Sequence, residues 1–104
     1  MLENLTKSMF AENLNSTFNL RRGTDQPLVL ELVELREGAP QSDYERFSLF
    51  FKGPRAVLLP QRSYELEHPN LGTFTLFLVP IKQEENGTYY ESVFYRSTRQ
   101  KAER

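Results

Sequence analysis

His68 is the single histidine of the 104-residue chain, and Glu65 and Glu67 stand just before it. A histidine beside two carboxylates could act as a general base or hold a metal ion. In an extended strand, however, Glu65 and Glu67 share one face and His68 lies on the other. Three neighbours split across two faces do not grip one ion. His68-Pro69-Asn70-Leu71-Gly72 is turn chemistry, so His68 is expected at a hairpin corner with its ring bonded to the turn. Glu31, Glu34, Glu65 and Glu67 could in principle supply a catalytic carboxylate pair. Such a pair needs two different environments across a cleft. The pattern places these four on the polar faces of strands instead.

With no Cys and one His, thiolate metal sites, disulfides and cysteine nucleophiles are excluded, and a zinc site would need mainly oxygen ligands. No phosphate-binding glycine loop, nucleophile elbow or zinc-protease motif is present. No catalytic residue, cofactor site or metal site is assigned, and nothing in the chain recommends an enzyme. The net charge of −1 gives no strong field for nucleic acid or an anionic membrane. Arg96, Arg99, Lys101 and Arg104 against Glu103 make the C-terminus locally basic. Without interleaved aromatics for stacking, that segment reads as a solvated tail.

The aromatic residues carry the remaining hint. Phe50 and Phe77 fall on strand faces opposite the main apolar set, as does either Tyr90/Phe94 or Tyr89/Tyr95. If the strands of Phe50 and Phe77 are adjacent, the two rings form one outer apolar patch, which would mark an interface. The competing expectation is a second face covered by the helix and loops.

These residues sit on elements that the spacing defines. Residues 6 to 13 predict one short helix, capped by Thr6, with Leu5 and Phe10 as a hydrophobic staple. After Asn15 the period changes to alternation, the signature of half-buried strands. Leu28, Leu30 and Leu32 share a face that Val33 and Leu35 do not, so the strand is either covered on both faces or reset by a bulge near Leu32 and Val33. The need of Glu31 and Glu34 for water favours the bulge. Gly53-Pro54 ends the strand containing Phe47, Leu49 and Phe51. Tyr64 to Pro80 predicts a hairpin closed by Pro80, and Asn86-Gly87 predicts a type I′ turn before a last strand from Thr88 to Tyr95.

The chain therefore reads as mainly β. About six antiparallel strands form a small barrel or sandwich with one short N-terminal helix. Residues 1–95 make a single domain and residues 96–104 a charged tail. The start lacks a secretory pattern, and no apolar run approaches the ~20 residues of a membrane span, so a cytoplasmic protein is expected.

Several motifs in order resemble a family of small bacterial β-rich proteins of about 100 residues and unknown function. They include Leu2-Glu3-Asn4-Leu5-Thr6, Phe47-Ser48-Leu49 with Gly53-Pro54, and Tyr64-Glu65-Leu66-Glu67-His68-Pro69. Phe10, Phe51, Leu59-Pro60-Gln61, Leu71-Gly72, Leu76-Phe77-Leu78-Val79-Pro80 and Tyr90-Glu91-Ser92-Val93-Phe94 complete the set. The resemblance implies no activity, only a link to phage-tail-like proteins. The functional expectation is a non-enzymatic interaction or assembly domain that meets a protein partner or itself. A small-ligand-binding barrel or minor enzyme using Tyr64, Glu65 and His68 is the alternative.

Overall fold

The computed structural model describes residues 5–23, 25–39 and 44–97. Its elements are α1 (Lys7–Glu12), β1 (Thr17–Arg22), β2 (Asp25–Glu37), β3 (Tyr44–Gly53), β4 (Arg62–His68), β5 (Gly72–Glu84) and β6 (Gly87–Ser97). Every pairing is antiparallel. The strands form two meanders, β1-β2-β3 and β4-β5-β6. Pairing of β3 with β6 joins them, and pairing of β1 with β4 closes the sheet into a ring.

Alternation along the strands fills the ring. Phe18 and Leu20 of β1, Phe47 and Phe51 of β3 and Leu66 of β4 are among the side chains with essentially no exposure. Phe18 meets Phe51 edge-on at 5.3 Å, and Phe47 stacks on Phe94 at 4.7 Å. The helix follows its sequence cues. The Thr6 hydroxyl accepts from Met9 N–H at 3.1 Å, and both staple residues, Leu5 and Phe10, are buried. Phe10 packs against Phe47 of β3, Phe74 of β5 and Phe94 of β6, so α1 plugs the ring through this side chain.

The bulge in β2 falls where the phase of the apolar residues changes. Leu32 pairs with Phe51 and Glu34 with Phe50, leaving Val33 unpaired. Two expectations are corrected. Pro80 does not close β5, which runs on to Glu84. The β4 ladder reaches β5 only as far as Arg62↔Leu78, so Pro80 lies where β5 has lost that neighbour and its missing N–H breaks no bond to β4. The last hairpin turn is not type I′. Its two-residue loop is Glu85–Asn86 between the paired Glu84 and Gly87, and neither loop residue has the positive φ that type I′ requires. Gly87 is needed for space instead: a Cβ there would lie 2.8 Å from the Gly53 carbonyl oxygen.

β6 continues past Tyr95 to Ser97. Arg96 stands over the Phe94 ring at 5.4 Å and donates to the Leu5 carbonyl at 2.6 Å, tying the strand to the N-terminal segment. Arg99, Lys101, Glu103 and Arg104 lie outside the described residues, as do residues 40–43 of the loop before β3.

Candidate functional site

Strands β5 and β6 are zipped only from Val79↔Glu91 to Glu84↔Gly87. Beyond Val79 and Glu91 they part. There β5 pairs only with β4, and β6 only with β3. In an antiparallel strand successive peptide groups alternate between its two sides. Each parted strand therefore turns a row of N–H and C=O groups toward the gap. The gap is a cleft of about 370 Å³ lined by Thr75, Leu76 and Phe77 of β5 and by Ser92 to Arg96 of β6.

Three outward side chains border this cleft. Phe77, Val93 and Tyr95 are 49%, 48% and 57% exposed. Tyr44, itself exposed, stacks on Tyr95 at 5.2 Å and extends the surface onto β3. On β6 the inward set is Tyr90 and Phe94, so Tyr89 and Tyr95 are the outer pair. The Tyr90 hydroxyl accepts from Leu59 N–H at 3.1 Å and donates to the Val57 carbonyl at 3.3 Å. Burial of that phenol pushes its pKa up.

Phe50 and Phe77 are not brought together. β6 runs between their strands. Phe77 is open, whereas Phe50 is only 9% exposed and lies beneath the Arg36 guanidinium, 4.7 Å from the ring centre. Sequence reasoning found Phe77 by phase, left Tyr89/Tyr95 open against Tyr90/Phe94, and did not single out Val93. An isolated valine in a strand carries no mark until its neighbours are known.

The polar candidates are dispersed. Glu34 pairs with Arg36 at 2.9 Å, Glu67 pairs with Arg21, and Glu65 is exposed. Glu31 and Glu34 on β2 are separated from Glu65 and Glu67 on β4 by β1, so no two of these strands face across a cleft. Among the described residues no group of three His, Asp or Glu side chains could hold a metal ion.

His68 is buried at the β1–β4 closure. Its Nδ1 accepts the Asn70 N–H at 3.0 Å, so the ring proton sits on Nε2 and is donated to Ser16 Oγ at 2.8 Å. The Ser16 hydroxyl in turn donates to the Asn13 carbonyl at 2.5 Å. A serine–histidine contact thus exists, but in the tautomer that cannot take the serine proton. With Asn70 Nδ2 bonded to Asn13 Oδ1 at 2.9 Å, it staples a closure of two ladder pairs.

Desolvation holds His68 below its ordinary pKa of 6.5. The folded state therefore prefers the neutral ring. The stabilisation is complete above about pH 6.5 and is lost as pH falls through the folded pKa. Stability measured by urea unfolding should decline on acidification below that point more steeply in the wild type than in His68→Gln. Parallel profiles for the two proteins would remove His68 as the cause.

A short helix plugging a closed six-stranded antiparallel sheet, with one seam parted, defines a small mainly β domain with strand edges open at that seam. The chain belongs to the family described as a domain of unknown function (DUF6916), whose model matches residues 5–94. No curated protein and no solved structure matches it. No helix among the described residues is long and apolar enough to cross a membrane.

Proposed function

We propose that this domain is a non-enzymatic interaction module that takes an extended segment of a partner protein along the parted β5–β6 seam. The observation that carries this reading is the coincidence of two unpaired strand edges with the exposed Phe77, Val93 and Tyr95 at one cleft. Main-chain hydrogen bonds would supply affinity, and the apolar side chains would select alternate residues of the added strand. The interior is filled by packed rings, which favours an outer partner over a ligand held inside the ring. The cysteine-free sequence supports a cytoplasmic setting.

Serine replacement of both Phe77 and Val93 tests the proposal, because both side chains are about half exposed and their loss should leave the fold intact. Partner capture from the native host and self-association by sedimentation should both be measured. The double variant is expected to lose whichever association the wild type shows, while amides of β5 between Thr73 and Phe77 gain exchange protection in the wild-type complex. A folded double variant that associates as well as the wild type would defeat the reading.

A further inference from the structure

The closure between β1 and β4 is short: only Asn19↔Glu67 and Leu20↔Leu66 pair. Toward the end of β1 and the start of β4 the strands separate. A second cleft of about 260 Å³ opens there, lined by Arg21, Arg22, Arg62 and Tyr64 together with Gly23, Leu59 and Pro60. It shares no residue with the β5–β6 cleft.

Three arginines line this place. Arg21 is engaged by Glu67. Among the described side chains, no carboxylate forms a salt bridge with Arg22 or Arg62. Arg62 stands over the Tyr64 ring at 5.2 Å, a contact that orients the guanidinium and leaves its N–H donors unspent. Arg22 is the more telling group. Among the described residues its Nε, shielded from solvent, has no acceptor, and one terminal nitrogen reaches the Gln26 carbonyl at 3.4 Å. A shielded charged donor left without an acceptor is costly, and an anion beside the guanidinium would offset that cost through its charge.

We propose that this cleft binds a phosphate group, held by Arg22 and Arg62 with Arg21 at its margin. Two guanidinium groups without a carboxylate partner among the described side chains match the charge of a phosphate dianion, and the planar fork of arginine suits its oxygens. The hydroxyl of Tyr64 is not a ligand. It donates to the Pro60 carbonyl at 2.6 Å and so fixes the cleft wall.

Titration of the full chain with inorganic phosphate, phenyl phosphate and acetate at constant ionic strength tests this. Amide shifts at Gly23 and Tyr64 would report occupancy, and the melting temperature would report linkage. Both phosphates should saturate and raise the melting temperature, and acetate should do neither. Tighter binding of phenyl phosphate would identify an ester as the source, and equal binding would identify the free ion. Arg22→Gln and Arg62→Gln should each weaken binding about tenfold or more, the loss expected for one charge-assisted contact. Arg36→Gln, on the far end of β2, should leave binding unchanged. If Arg22→Gln does not fold, the exposed Arg62→Gln still decides. Shifts that stay linear with phosphate, equal responses to acetate, or wild-type affinity in folded Arg62→Gln would overturn the proposal.

Discussion

Phe10→Ala is expected to destabilise the domain by ~3–5 kcal/mol, the range for removing a fully buried phenylalanine. Phe10 has no exposure and meets three other rings, Phe47, Phe74 and Phe94, with centroids 5.5 to 6.5 Å away. Those rings come from β3, β5 and β6, so the void would open where β5 and β6 already lack mutual pairing. Little backbone bridges that place to let it collapse. Small domains have a total stability of ~5–15 kcal/mol, so a substantial unfolded fraction is expected. Urea denaturation measures the effect. A loss below ~1 kcal/mol would mean that α1 is not the plug its packing implies.

Leu76→Ala is expected to cost ~2–5 kcal/mol. Leu76 points into the ring opposite Tyr64 and is almost wholly buried. Its neighbour Phe77 is half exposed, so the adjacent substitution Phe77→Ala should cost far less although it deletes a larger side chain. The comparison isolates face from size. Equal losses at 76 and 77, measured by the same denaturation, would refute the assigned register of β5.

The correct parts of the sequence reading share one property: they depend on contacts within a few residues. The Thr6 cap, the Leu5–Phe10 staple and the Val33 bulge are each encoded by residue type at short spacing. The hairpin of β4 and β5 is of the same kind. Its turn places Gly72 at φ 86, a conformation that glycine adopts without a steric penalty. The errors mark where such reasoning stops. Asn86-Gly87 looked like a type I′ turn, but Gly87 answers a steric demand made by Gly53, a residue 34 positions earlier. Pro80 looked like a strand end, but whether its missing donor matters depends on where β4 begins.

By itself, then, the sequence determined the helix, the strands, the inward face of the strands before β6 and the outward phase of Phe50 and Phe77, and left the face of β6 open. Alternation specifies which way a side chain points and says nothing of what lies beside it. Only tertiary structure decided that β6 separates those two phenylalanines, that Arg36 covers one of them, and that the other stands with Val93 and Tyr95 at a parted seam. It likewise brought Arg62 to Arg21 and Arg22 across some forty residues of chain. The reason is that strand order and the length of each ladder are set by closing the ring around a filled core, a condition satisfied by all the strands together.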